Sequence, residues 1–122
     1  MRNTTIVLLI ASLALIAGCQ SSEKGVKTNY LEQWTDVAAN TQTTTEAAKA
    51  VFTEDNLRDV EARSTNLDGM ATGRKADGTK ITASIKKLGD ASSQVTVNVG
   101  TMGDPKIGAD IARRIKDRAE RK

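Results

Sequence analysis

The chain has 122 residues, of which 39% are hydrophobic and 27% are charged, and its formal net charge at pH 7 is +3. It contains no histidine and one cysteine. The lack of histidine excludes Ser-His and Cys-His nucleophile systems and histidine-ligated zinc, and so small a charge does not by itself indicate a nucleic-acid partner.

The first predicted element is a secretory signal over residues 1–18. Arg2 precedes the charge-free stretch Ile6–Ile16, which the small residues Ala17 and Gly18 follow. This order of charged, apolar and small residues is typical of an export signal. The apolar stretch is too short to cross a hydrocarbon core, which needs ~20 helical residues. We therefore expect residues 1–18 to direct secretion.

Cys19 follows the sequence Leu15-Ile16-Ala17-Gly18, which resembles the lipobox of bacterial lipoproteins. The resemblance implies cleavage between Gly18 and Cys19, a diacylglycerol on the Cys19 thiol and acylation of the new amine. Two or more acyl chains anchor a protein stably. The expected location is the cell envelope, lipid-anchored. By resemblance to enteric lipoproteins, Gln20 favours the outer membrane, with the protein facing the periplasm.

A flexible tether is predicted behind the lipidated cysteine, so that residues 19–27 precede a single folded domain over residues 28–122. At the start of that domain, residues 28–39 fit either a strand or a helix. This segment contains Tyr30 and Trp34. We expect both rings to be core anchors; the alternative is an exposed aromatic platform for a sugar or peptide.

A helix is predicted over Thr41–Asp55, with a threonine as its cap and an apolar face of Ala47, Ala48, Val51 and Phe52. Four strands are predicted next, because apolar and polar residues alternate and turn residues separate the runs. These strands cover residues 57–65, 70–76, 79–88 and 94–100.

The turn between the second and third of these strands contains Asp77-Gly78, which predicts a two-residue hairpin with positive φ at both positions. That turn pairs Met70 with Ile85 and so places Met70 on the core face. It also puts two groups of residues together on the other face: Thr82, Ser84 and Lys86 from one strand, with Ala71 and Gly73 from its neighbour.

The last predicted helix begins with Asp104 as its cap and Pro105 at its first position, and Ile107, Ile111 and Ile115 form its apolar stripe. The elements together predict an α+β fold. It is a two-layer sandwich, a four-stranded antiparallel meander with two helices packed on one face. The other face is expected to be polar and open unless residues 28–39 or a partner cover it.

The motifs that suggest chemistry are incomplete. A calcium-loop-like start at Ser64–Gly69 has Lys75 at the position of its last ligand, and lysine cannot coordinate calcium. The stretch Gly103–Gly108 has the glycine spacing of a phosphate loop without the Lys-Ser/Thr that must follow. We therefore expect no enzyme activity, no catalytic residues, no cofactor and no metal site.

Residues 30–116 resemble a family of small uncharacterised bacterial lipoproteins. The matching stretches are Leu67-Asp68-Gly69, Ala76–Lys80 and Val97–Asp104, which are mostly turn and cap residues. The resemblance therefore implies a fold rather than a chemistry, since the family carries no assigned activity.

The expected function is that of a membrane-anchored periplasmic lipoprotein, a non-enzymatic protein-interaction or structural module of the cell envelope. The alternative is binding of an anionic envelope polymer or lipid head group through the basic C-terminal helix, since residues 112–122 carry six basic and two acidic side chains. A solvated helix end also explains that composition. The expected partners are membrane lipid through acylated Cys19, an envelope protein and the anionic polymer, and no nucleic acid. The candidate contacts for an anionic partner are Arg113, Arg114, Lys116, Arg118, Arg121 and Lys122.

Overall fold

The computed structural model describes residues 25–121, so the predicted signal, Cys19 and the first part of the tether lie outside the described residues. Its elements are β1 (Lys27–Thr28), β2 (Glu32–Val37), α1 (Thr41–Glu54), β3 (Arg58–Ser64), β4 (Asp68–Arg74), β5 (Lys80–Gly89), β6 (Ser92–Val99) and α2 (Pro105–Glu120). The strands form one antiparallel sheet in the order β1-β2-β6-β5-β4-β3. The α+β class with two helices and an antiparallel sheet is confirmed, and the predicted number of four strands is wrong, since the described residues form six.

The two additional strands are β1 and β2. They lie in and just before residues 28–39, the segment whose sequence fitted either a strand or a helix. β2 pairs with β6, so the segment extends the sheet and leaves the open face uncovered. Its alternation was obscured because two of its core-facing residues, Gln33 and Thr35, are polar and still buried. The prediction that both aromatic rings anchor the core is wrong: Tyr30 is 72% exposed, and Trp34 is half-buried on the opposite side of β2 from Gln33.

The folded part begins before residue 28. Val26 is buried in the core, and Lys27 pairs with Trp34 in the β1–β2 ladder. The Thr35 hydroxyl also donates to the carbonyl oxygen of Gly25 at 2.9 Å. Residues 25–27 of the predicted tether therefore belong to the folded domain.

Both helices begin at a side-chain cap. In α1 the cap is Asn40, whose side chain accepts a hydrogen bond from the Thr43 amide at 2.8 Å, and not a threonine as predicted. In α2 the Asp104 carboxylate accepts from the Ile107 amide at 3.1 Å, and Pro105 occupies the first turn, as predicted. The threonines at the start of α1 are instead buried: Thr41, Thr44 and Thr45.

The two helices pack on the same face of the sheet and against each other. α1 lies over β3, β4 and β5, while α2 lies over β2 and β6. The predicted apolar face of α1 is confirmed, because Phe52 is the one aromatic ring fully buried among the described residues and its apolar neighbours on the helix are buried with it. Ile111 and Ile115 contribute the corresponding face of α2. The core therefore occupies the single layer between sheet and helices.

The β4–β5 hairpin corrects the predicted register. The Lys75 amide donates to Thr79 O and the Gly78 amide to Lys75 O, each at 2.9 Å, so the loop has three residues. Only Gly78 has a positive φ, +89°. This is a type I turn followed by one left-handed residue, rather than the predicted turn with two.

The extra loop residue moves every pair in the hairpin by one position. Met70 lies opposite Ser84 and not Ile85, and Ala71 lies opposite Ala83. A shift of one residue exchanges the two faces of a strand. Met70 is consequently 41% exposed on the face away from the helices, and the prediction that it joins the core is wrong. The polar residues of β5 share that face with Met70 and Thr72, not with Ala71 and Gly73.

Candidate interaction surfaces

The open face is the side of the sheet that points away from both helices. No described element packs on it, and its centre consists of hydroxyl and amide side chains with charged residues around them. Alternation in each ladder assigns its members. They are Glu32, Trp34 and Asp36 from β2, Gln94, Thr96 and Asn98 from β6, Lys80, Thr82, Ser84 and Lys86 from β5, Asp68, Met70, Thr72 and Arg74 from β4, and Arg58, Glu61 and Arg63 from β3.

One row of directly opposed residues crosses the whole open face. Trp34 lies opposite Thr96, Thr96 opposite Ser84, Ser84 opposite Met70, and Met70 opposite Arg63. The row therefore runs from an indole through two hydroxyls and a thioether to a guanidinium. A half-buried indole whose ring sits on a polar sheet offers a large rigid contact area and one N–H donor, which is the chemistry enriched in protein interfaces.

A second feature of the open face is the cation row, made of Arg58, Arg74 and Lys80. Arg58 lies opposite Arg74 and Arg74 opposite Lys80, so three like charges face one another on adjacent strands. Within residues 25–121, no carboxylate lies within 4.0 Å of any of the three. Like charges in directly opposed positions destabilise a sheet.

A cavity of about 480 Å³ lies beside the cation row. Arg74 and Lys80 line it together with side chains that can donate or accept hydrogen bonds, namely Asp77, Thr79, Thr82, Asn98 and Thr101. The Asp77 carboxylate accepts from the Thr79 amide at 2.9 Å. That backbone hydrogen bond is the main reason why the pKa of Asp77 is lowered. The cavity therefore combines two cations with one satisfied carboxylate.

The predicted anion contacts on α2 occupy a different surface and are mostly paired with carboxylates. Arg113 bonds Asp110 and Asp117, each at 3.1 Å. Lys116 bonds Glu120 at 2.7 Å, and Arg118 bonds Glu54 of α1. The Arg113 and Lys116 pairs lie within α2, and the Arg118 pair joins α2 to α1. The carboxylates therefore offset the positive charge of α2 locally.

Arg114 is the central residue of the α1–α2 contact. Its guanidinium bonds both oxygens of Asp55, at 2.8 and 2.6 Å, and also the Asp110 carboxylate at 2.9 Å. The hydrogen bonds that Arg114 donates to Asp55 are the main reason why the pKa of Arg114 is raised further above its ordinary value. About 30% of this side chain is exposed. Arg114 therefore connects the two helices rather than presenting a free charge.

Hydrogen bonds connect the end of α2 to β2 and to the residue that follows it. Glu120 accepts hydrogen bonds from the Ala38 amide at 2.8 Å and from Lys116 Nζ at 2.7 Å. Lys116 Nζ also donates to Asp36 O at 2.8 Å. Of the remaining predicted contacts, Arg121 is exposed beyond the helix, and Lys122 lies outside the described residues, as do Gly18 and Cys19.

Residues 25–121 hold no group of three or more cysteine, aspartate and glutamate side chains positioned to bind a metal ion. In the same range, neither helix is long and apolar enough to cross a membrane.

The sequence placed Thr82, Ser84 and Lys86 correctly on a polar open face, but it did not predict the position of Trp34 or the cation row. An exposed Trp34 was only the alternative to a core position, because Gln33 and Thr35 on the core side of β2 hide the alternation. The cation row was missed because the Arg74–Lys80 pair depends on the hairpin register, which a single extra loop residue changes, and the Arg58–Arg74 pair depends on a bulge in β3. One signal was available: the lysine and arginine that flank the Asp77-Gly78 turn come close together in any hairpin with a short loop.

Residues 4–118 match the family model described as "Protein of unknown function (DUF3568)". The chain belongs to the DUF3568 family. The match covers the sheet, α1, α2 as far as Arg118, and part of the segment that precedes them. A search of curated proteins finds no match to the chain. Membership in the DUF3568 family thus agrees with the resemblance to an uncharacterised family and assigns no activity to the open face or the cation row.

Proposed function

We propose that this DUF3568 protein is a membrane-anchored periplasmic lipoprotein that serves as a non-enzymatic interaction module of the cell envelope. In this proposal the open face binds a protein partner. The lipobox-like sequence that ends at Cys19 supports the anchor and the envelope location. Gln20 supports sorting to the outer membrane, by resemblance to enteric lipoproteins.

The observation that carries the proposal is the position of Trp34 on the open face. Both helices pack on the opposite side of the sheet, so the row from Trp34 to Arg63 lies uncovered among residues 25–121. Burial of a large aromatic side chain in an interface commonly provides much of the binding energy. The surrounding threonines and asparagine would form the polar rim.

Photo-crosslinking in cells tests the partner site. A photoreactive residue is placed at Thr96 or Ser84 on the open face, and at Glu46 on the exposed side of α1 as the control. We expect one adduct of the same mass from Thr96 and Ser84, at low and high salt, and its loss when Trp34 is replaced by Ala. An adduct that forms equally from Glu46, or no adduct from either open-face position, contradicts the proposal.

Substitution of Cys19 tests the anchor separately. Cys19→Ser should move the protein from the detergent phase to the aqueous phase, or leave it as an uncleaved precursor. Mature Cys19→Ser protein that still partitions with membranes contradicts the lipoprotein proposal. Fractionation of the wild-type chain tests its sorting, and recovery wholly in the inner membrane contradicts the outer-membrane location.

An anionic envelope polymer or lipid head group is a second candidate partner, and the cation row favours it. All four of the predicted contact residues that lie on α2 are bonded to carboxylates, so α2 gives this candidate less support. Binding through the cation row should fall steeply with added salt, because exposed charges are screened. Arg74→Gln should weaken that binding, whereas Lys106→Gln, on the exposed side of α2, should not.

A further inference from the structure

The outer edge of β3 is a free strand edge. β3 is the last strand of the sheet, and among residues 25–121 no strand pairs with its outer side. The opposite edge of the sheet is only the two-residue β1. A cavity of about 450 Å³ runs beside β3 and is lined from both faces of the sheet by Lys49, Val60, Glu61, Ala62, Arg63, Met70 and Thr72. Such an edge can accept another strand through its backbone.

The hydrogen bonds of the neighbouring turns show which backbone groups face outward. The Lys75 amide bonds Thr79 O, so the odd-numbered residues of β4 direct their backbone groups to β5. The Thr65 amide bonds Asp68 O, so the even-numbered residues of β4 face β3. Hydrogen-bonded and non-bonded pairs alternate along an antiparallel ladder. The outward backbone groups of β3 are therefore those of residues 60, 62 and 64.

This spacing of outward backbone groups suits antiparallel pairing with β3 of a second copy of the chain. A two-fold axis at Ala62 places Ala62 opposite Ala62 of the second copy, and Val60 opposite Ser64. On the open-face side it places Glu61 of each copy opposite Arg63 of the other. Neither Glu61 nor Arg63 has a partner for an ion pair within residues 25–121. Opposite charges in directly opposed positions stabilise a pair of strands.

Two other registers of the β3–β3 pair also direct residues 60, 62 and 64 of the two copies toward each other, but both are unfavourable. A shift of one step in one direction places Glu61 opposite Glu61, and a shift in the other direction places Arg63 opposite Arg63. The regular part of the strand also matches the Ala62-centred register. A bulge interrupts β3 between Arg58 and Glu61, and Asp59 within it has a φ of 52°. The paired segment is thus limited to residues 60–64.

We propose that two copies of this chain associate through their β3 edges, with Ala62 on the two-fold axis and two Glu61–Arg63 ion pairs. The result is a continuous twelve-stranded antiparallel sheet with all four helices on one side. Five residues per copy form a small interface, so association is weak at low concentration. Confinement of both copies to one membrane, which is part of the proposed function, raises their effective concentration.

Charge reversal tests the proposal with the full chain in mild detergent. Glu61→Arg and Arg63→Glu each replace two attractive pairs with two repulsive ones, and we expect each variant to dimerise about tenfold more weakly than the wild type. A mixture of the two variants restores opposite charges at both positions, and so does the double variant Glu61→Arg/Arg63→Glu in one chain. Sedimentation over a concentration range, and co-purification of two differently tagged chains, measure the association.

The mixture and the double variant are expected to associate as the wild type does. Because both residues are exposed, each variant should keep the wild-type circular dichroism spectrum. The proposal is overturned if the wild type remains monomeric at the highest concentration reached. Single variants that dimerise normally, or a mixture that associates no better than its components, also overturn it.

A disulfide tests the register in the same preparation, in which the thiol of Cys19, the one cysteine of the wild-type sequence, carries the proposed lipid. Ala62→Cys places two thiols on residues whose Cα atoms are ~5.5 Å apart in a hydrogen-bonded pair, within the range for a disulfide. We expect Ala62→Cys to form a covalent dimer under mild oxidation, and Val60→Cys not to do so, since Val60 lies opposite Ser64. Cross-linking of Val60→Cys in preference to Ala62→Cys contradicts the proposed register.

Discussion

A methyl group added to Gly108 would lie 1.8 Å from Oε1 of Gln33. Gln33 is fully buried, and its Nε2 donates to Thr28 Oγ1 and to Asn29 O, each at 3.0 Å. Its side chain thus extends from β2 into the space beside α2 that a glycine leaves free. The two residues together define how closely α2 approaches the sheet.

Gly108→Ala should destabilise the fold by about 1–3 kcal/mol, because the added carbon overpacks a closed site. In a Gln33→Ala background the same substitution should be stabilising, by up to about 1 kcal/mol, since alanine is the better helix former. Urea unfolding of the four proteins of this cycle measures both effects. Equal effects of Gly108→Ala in the two backgrounds would show that Gln33 does not determine the need for glycine.

Asp104→Ala should lower the free energy of unfolding by about 1 kcal/mol, because it removes the side chain that caps α2. Asp104→Asn is the matched control, since its amide oxygen can accept the same hydrogen bond from the Ile107 amide. The midpoints of thermal or urea unfolding distinguish the two. If Asn destabilises as much as Ala, the capping hydrogen bond is not what the aspartate contributes.

Arg114→Lys should destabilise the protein by about 1–2 kcal/mol, although the charge is kept. A lysine cannot bond both oxygens of Asp55 while also reaching Asp110, as the planar guanidinium does. Arg113→Lys is the comparison on the same helix: its carboxylate partners, Asp110 and Asp117, are on α2 itself. We expect a smaller effect there, of about 0.5 kcal/mol. Similar losses for the two variants in urea unfolding would contradict a special role of the α1–α2 bridge.

Protonation of Glu120 should lower the stability of the protein in acid. Burial opposes its ionisation, but the hydrogen bonds from the Ala38 amide and Lys116 outweigh burial, so the pKa of Glu120 is lowered. A lowered pKa in the folded state means that the stabilisation is complete above the unfolded value, ~4.3, and is lost as the pH falls through the folded value.

The urea midpoint of the wild type should therefore fall between about pH 5 and pH 3, and part of that decrease should be absent in Glu120→Gln. Glu46→Gln, on the exposed side of α1, is the matched control and should leave the pH profile of the wild type unchanged. Parallel profiles for Glu120→Gln and the wild type would show that this carboxylate does not contribute to acid sensitivity.

The local sequence determined the helices well. The apolar faces of α1 and α2 follow from a helical spacing of alanine, valine and isoleucine, and the Asp104-Pro105 start of α2 is a signal contained in adjacent residues. The four strands β3–β6 were also predicted, because alternation and turn residues are local properties. Each of these elements could be predicted because its pattern is contained within about ten consecutive residues.

Tertiary structure decided the features that depend on distant partners. β2 was ambiguous because Gln33 and Thr35 are buried only by elements far along the chain, including α2 and its Gly108. From the sequence, the α2 arginines fitted a free basic surface; in the structure, Glu54 at the end of α1 and Asp55 just after it bond two of them.

The open face likewise depends partly on local sequence and partly on pairing between strands. Turn residues in the sequence determined that β4 and β5 form a hairpin, but the loop length of three residues determined which side chains face outward. One residue of register moves Met70 from the core to the open face and brings Arg74 opposite Lys80, and the bulged β3–β4 pairing adds Arg58 to that row. The sequence by itself therefore determined the class of fold and the core of both helices. The position of Trp34, the cation row and the free edge of β3 were decided by pairing across the sheet, because a strand's neighbours are not its neighbours in sequence.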